Sequence, residues 1–109
     1  LGQIAEGFAE SASSILGLPV LVSDTDRFVA VSGLKQKDYI NKAIDADLDD
    51  IIQSKDKYET TSRVVIPILS NGDPIGSVTV LPPEGRDLSD LEIKTAELGA
   101  GFLAKQMES

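Results

Sequence analysis

The sequence predicts an α+β fold in which an antiparallel sheet lies between two helical layers. Three observations carry that reading. Two apolar runs within Arg63–Leu81 are joined by Ser70-Asn71-Gly72-Asp73-Pro74, and Asn-Gly between β-rich runs is the strongest short-range sign of a hairpin. The run from Val64 to Leu69 does not alternate polar and apolar residues, so its strand needs cover on both faces. Helical periodicity occupies both ends of the chain, and a charged crossover separates an early strand pair from the main hairpin. The terminal helices can then lie side by side on one face of the sheet while the crossover covers the other.

In chain order, residues 3–17 read as a helix. Ile4, Phe8, Ile15 and Leu16, with Ala5 and Ala12, recur at helical spacing, while Glu6 and Glu10 lie off that stripe. Gly17 is a natural C-terminal stop, and Pro19 prevents continuation. Val20 to Ser23 and Arg27 to Val31 read as antiparallel neighbours joined by the polar turn Asp24-Thr25-Asp26. In the crossover, residues 34–56, two short helical pieces are expected, Lys37 to Ala43 and Asp47 to Ser54. Asp47 serves as the N-cap of the second, with Asp49 and Asp50 in its first turn. Tyr58 to Thr61 adds a short edge strand. Pro67 cannot donate to a ladder, which implies an edge, a bulge or an N–H position facing solvent.

After Pro82-Pro83-Glu84-Gly85, Ser89 and Glu92 form a capping-box pattern that opens the last helix. Leu91, Leu98 and Phe102, with Ala96 and Leu103, give its apolar stripe to about Met107. Gly99 and Gly101 in that helix each lower helix propensity by roughly 1 kcal/mol relative to alanine. Close approach of another backbone is the usual reason, supplied either by this chain's own sheet and first helix or by the helix of a second subunit.

Composition narrows the function classes. At 109 residues the chain forms one domain able to bury about two thirds of the surface its unfolded state exposes. A formal charge of -8 disfavours a nucleic-acid surface, since phosphate contacts need clustered Lys and Arg. Histidine and cysteine are both absent, which removes disulfides, thiolate nucleophiles, Ser-His-Asp chemistry and most zinc sites. No run approaches the roughly 18 apolar residues of a membrane span. The expectation is a cytoplasmic, non-enzymatic protein without metal or cofactor. Its opening on Leu1 rather than methionine suggests a domain excised from a longer chain.

Pro67-Ile68, Asn71-Gly72 and Ile75-Gly76, in that order within VVIPIL…NGDPIGSVTV, resemble the pattern of the GAF domain family. On that resemblance Pro67 belongs to the strand. VLVSDTDRFVAVSGLKQKDYINKAI (20–44), SNGDPIGSV (70–78) and AELGAGFLAKQME (96–108) resemble the family of C-terminal domains of stage V sporulation protein T. The resemblance covers nearly the whole chain and is weakest over residues 45–62. It implies a GAF-like regulatory domain of a sporulation transcription regulator, whose DNA contacts belong to an N-terminal swapped-hairpin domain absent here. It also implies a homodimer formed through the terminal helices, a role that falls on Ile4, Phe8, Ile15, Leu98, Gly101 and Phe102.

Where GAF domains bind small molecules, the ligand lies between sheet and crossover, and the matching polar candidates are Ser32, Lys35, Tyr39 and Arg63. The bland reading has Tyr39 capping the core and the other three solvated. Haem or bilin would need the His or Cys that this chain lacks. The alternative function is a metabolite sensor with no assembly role. Two enzyme-like or metal-like patterns are weak. Asp24 and Asp26 after an apolar strand resemble the acidic pair of aspartate-nucleophile phosphatases, but another strand follows at once, as in a hairpin. Asp45, Asp47, Asp49 and Asp50 suggest a calcium loop, yet the sixth and twelfth positions hold Asp50 and Asp56 where an EF-hand needs Gly and Glu.

Overall fold

The computed structural model describes residues 2–107; Leu1, and the Glu108 that ends the last resembling stretch, lie outside them. The chain runs α1 (Gly2–Leu16), β1 (Val20–Ser23), β2 (Phe28–Ser32), α2 (Ala46–Ser54), β3 (Tyr58–Glu59), β4 (Val64–Ser70), β5 (Asp73–Val80) and α3 (Asp90–Met107). The strands form an antiparallel sheet in the order β2-β1-β5-β4-β3. Helices α1 and α3 cover one face and α2 the other, as the uninterrupted apolar run of β4 requires.

The hairpin turn forms as its residues dictate. Asn71 and Gly72 both take positive φ, 52° and 83°, the geometry whose twist matches the flanking strands. Along β4, Val64, Ile66 and Ile68 join the large cluster under α1 and α3, whereas Val65 points the other way onto Leu48 and Ile52 of α2. Pro67 is accommodated because β3 pairs only with Val64 and Val65, leaving the outer side of β4 unpaired beyond them. Gly76 marks where β5 crosses close to β1: a Cβ there would run into the Ser23 carbonyl. Beside it the hydroxyls of Ser23 and Ser77 satisfy each other at 2.6 Å in the buried interior.

Several expectations are corrected. Residues 37–43 are not a helix; only a 3-10 turn forms, at Gln36–Asp38. Asn41 then takes φ 63°, and the segment bonds along the outer edge of β2. Asn41 N–H donates to the Phe28 carbonyl, Phe28 N–H to that of Lys42, and Ile44 N–H to that of Asp26. Edge pairing satisfies more backbone groups than an isolated turn of helix, which is marginal at this length. The cap of α2 is Asp45, not Asp47: its side chain accepts from the Leu48 N–H. The edge strand β3 stops at Glu59, because Thr60 turns the chain by accepting from the Arg63 and Ser62 N–H groups.

The apolar stripes of the terminal helices also differ from expectation. Helix α1 buries Ala5, Ala9, Ala12 and Ser13, and α3 buries Ile93, Ala96, Gly99, Ala100, Leu103 and Ala104. Small residues face inward because two helices and the sheet meet there with little room. Gly99 is the tightest point, since a Cβ would strike the Phe8 ring, while Gly101 faces open space. The close approach at Gly99 is therefore met within this chain. The stop of α1 and the start of α3 hold as read. Gly17, at φ 69°, donates to the Ser13 carbonyl at 2.8 Å, and Ser89 and Glu92 cap α3 reciprocally at 3.2 and 2.8 Å.

Candidate functional site

Two surface features follow from these layers. The first lies between the crossover and the sheet. The short α2 brings Leu48 and Ile52 down onto Val65, with Ile51 packed against them, and a cavity of about 410 Å³ remains beside them. Its floor comes from the sheet, where Leu21 and Thr79 are cross-strand partners. Phe28, Leu48 and Leu81 supply apolar wall, and Tyr39, Lys42, Asp45 and Arg63 the polar rim. The Tyr39 ring meets that of Phe28 edge to face at 5.9 Å, which fixes it at the mouth.

Thr79 is the unusual member. It is only 4% exposed, and its Oγ1 has no hydrogen-bond partner among the described residues. Both cross-strand neighbours, Leu21 and Val65, are apolar. A hydroxyl left unsatisfied in the interior costs about 1–3 kcal/mol, so the position is one at which stability is not maximised.

Arg63 immediately precedes β4, two residues before Val65, and lines the cavity together with Thr79. Its guanidinium donates to both Asp45 carboxylate oxygens at 3.2 Å. That bidentate bond, with the Leu48 N–H and the positive charge helping, holds the Asp45 carboxyl below its ordinary range against the opposing effect of burial. Asp45 thus caps α2 and anchors it to β4 at once.

Of the residues expected at this site, Tyr39 and Arg63 line the cavity together. Ser32 pairs with Val20 at the end of β2, and Lys35 precedes the 3-10 turn on the exposed surface; neither lines the cavity. Thr79, Asp45 and Lys42 line it without having been singled out. Alternation around Ser77 and Thr79 was the available sign, since two hydroxyls in an otherwise apolar central strand each need a partner. Two aspartates of the rejected patterns have structural partners: Asp45 as above, and Asp24, whose Oδ1 accepts from the Asp26 and Arg27 N–H groups at 2.7 and 2.8 Å, as in an Asx turn.

The second feature is the outer surface of α1 and α3. Ile4, Phe8, Ser11 and Ile15 on one helix, and Leu91, Thr95, Leu98 and Phe102 on the other, each recur at spacings of four, three and four residues. Ile15, Leu91 and Leu98 are 81, 75 and 74% exposed, and Phe102 is 49% exposed. Between the helices runs an apolar groove of about 320 Å³ lined by Phe8, Ala12, Ile15, Leu98, Gly99 and Phe102, with Ser11 and Thr95 at its margin. Gly101 lies beside a separate shallow groove with Ile66 and Pro67. No helix among the described residues is long and apolar enough to cross a membrane.

Comparison with solved structures identifies the fold. The chain is similar to a methyl-accepting chemotaxis protein fragment, residues 122 to 287, with a TM-score of 0.86 at 17% identity over 97% of this chain and 87% of that one. It is similar to the second GAF domain of DevS from Mycobacterium smegmatis, TM-score 0.80 at 14% identity over 95 and 90%. The cofactor-binding GAF domain of the nutrient sensor CodY from Clostridium difficile gives 0.75 at 14% identity over 94 and 83%. At such identities the shared feature is the GAF fold. Sequence comparison is more specific. The chain is 36% identical to stage V sporulation protein T of Bacillus subtilis (strain 168) over 124 aligned residues, covering 99% of this chain and 69% of that protein. Residues 1–108 match the family described as stage V sporulation protein T C-terminal, transcription factor, and the chain belongs to that family of GAF-fold regulatory domains.

Proposed function

We propose that this domain assembles a sporulation transcription regulator by pairing with a second copy of itself through the outer faces of α1 and α3. The observation that carries this reading is the matched seam on the two helices. Each helix repeats four positions, three of them apolar, at the spacing of a coiled-coil face, and the two seams border one apolar groove. Protruding Ile15, Leu98 and Phe102 lie on the same surface as the groove that would receive them, which is the self-complementarity a two-fold interface needs. Burying a side chain of this size stabilises by about 1.5–3 kcal/mol. A four-helix bundle would result, holding the DNA-binding domains expected at the N-terminal side at a fixed separation.

Sedimentation velocity at high micromolar concentration tests the pairing. A dimer is expected for the chain, and a monomer with an unchanged circular dichroism spectrum for the double variant Ile15→Asp, Leu98→Asp. A strictly monomeric parent chain would refute the assembly role.

A second reading, ligand sensing at the cavity under the crossover, is favoured by Thr79. Its unpartnered hydroxyl faces a space with apolar walls and a charged rim, the usual make-up of a small-molecule site. Such a ligand would regulate only by binding two arrangements of the paired domains unequally.

A further inference from the structure

The geometry points to a small monocarboxylate with a short apolar tail as the ligand of the crossover cavity, its carboxylate held between Arg63 and Thr79. This rests on the ligand-sensing reading above. Charge placement selects the sign. Within the Arg63–Asp45 pair the cation is the deeper partner, with side chains 24 and 52% exposed respectively. Asp45 is already committed to the Arg63 guanidinium and the Leu48 N–H, whereas Arg63 has given two of its five N–H groups to it. The spare capacity at depth is therefore that of a donor.

Position selects the headgroup. Arg63, the residue that leads into β4, and Thr79, the β5 partner of Val65, line the same cavity. A planar carboxylate can accept from the guanidinium with one oxygen and from the Thr79 hydroxyl with the other, satisfying the orphaned group. The rim also carries Asp38 and Asp45 against Lys42 and Arg63, so a dianion would meet two carboxylates. The tail would lie against Leu21, Phe28 and Leu48. A volume of about 410 Å³ suits a short branched or aromatic tail.

Three probes of matched shape separate the possibilities: isovalerate, isoamylamine and isoamyl alcohol, titrated into the 109-residue chain and followed by backbone amide chemical shifts. Isovalerate is expected to move the amides of Leu48, Arg63 and Thr79, with the amine and the alcohol without effect. Its dissociation constant should rise at least tenfold in both Arg63→Gln and Thr79→Val; the second variant is nearly isosteric and keeps the fold. If the amine or the alcohol moves those amides and isovalerate does not, the carboxylate assignment is wrong and the cavity stands as a site. If none of the three moves them, the assignment and the sensing reading fall together. Isovalerate binding undiminished in both variants overturns the assigned contacts.

Discussion

The two faces of the sheet are built on opposite plans. Under α1 and α3, alanine and glycine let the helices settle closely on the large cluster that includes Val20, Val78, Val80 and Leu103, while Ile15, Leu91, Leu98 and Phe102 are sent outward. Under α2, a cluster of Leu48, Ile52 and Val65 holds a nine-residue helix beside an open cavity. The first face is dense inside and adhesive outside. The second is thinly filled and keeps a polar group unsatisfied. A fold selected for stability alone would fill the second and make the outer surface of the first polar. The difference therefore assigns the work: the helix face is suited to pairing, and the crossover face to admitting a small molecule.

Truncating one large residue on each face gives the largest contrast. Leu103→Ala, in the dense layer, should destabilise by about 4 kcal/mol, and Ile52→Ala by about 2 kcal/mol because the short α2 can settle into the space left behind. Urea unfolding of both variants measures this; equal losses would remove the distinction in packing. Next in size is the start of α3. Ser89→Ala should lower stability by about 1 kcal/mol through loss of the cap.

The same helix start predicts a pH effect. Hydrogen bonds from Arg86 and then from the Ser89 N–H lower the Glu92 carboxyl to about 2 from an ordinary value near 4.5. A lowered folded value stabilises fully above the ordinary one and is lost as pH falls toward the folded one. Denaturation midpoints should thus fall between about pH 5 and pH 2, with a shallower slope in Glu92→Gln. An identical slope in that variant would show that other groups carry the acid sensitivity.

The last expected effect has the opposite sign. Thr79→Val replaces an unsatisfied hydroxyl with a methyl group of similar shape and should raise stability by about 1 kcal/mol. A loss instead would mean that Thr79 has a structural partner in solution and that the cavity face is not held below its best stability.

How far these faces are legible in the sequence depends on whether local or tertiary forces decide each element. The Asn71-Gly72 turn, the Gly17 stop and the Ser89–Glu92 cap are local, and all three form as read. Residues 37–43 have a helical apolar pattern, yet tertiary pairing with the edge of β2 prevails over it. The stripe of α1 was visible but its direction was not. Ile4 and Ile15 share helical periodicity with Ala5 and Ala12, and only the tight meeting with α3 at Gly99 turns the small residues inward. At the cavity, Tyr39 and Arg63 were legible as polar residues around a twice-covered sheet. Thr79 was not, because its lack of a partner depends on register, which sets Leu21 and Val65 on either side of it. Asp45 was missed for a related reason: its bonds to Leu48 and Arg63 tie the start of α2 to a residue 18 positions away that leads into β4.

The separation of the two faces is tested most directly by backbone amide chemical shifts of the chain across a dilution series. Concentration-dependent shifts are expected only in α1 and α3, around Ile15, Leu98 and Phe102, with Leu48, Arg63 and Thr79 unmoved. Shifts at the crossover residues, or none on the helices, would contradict it.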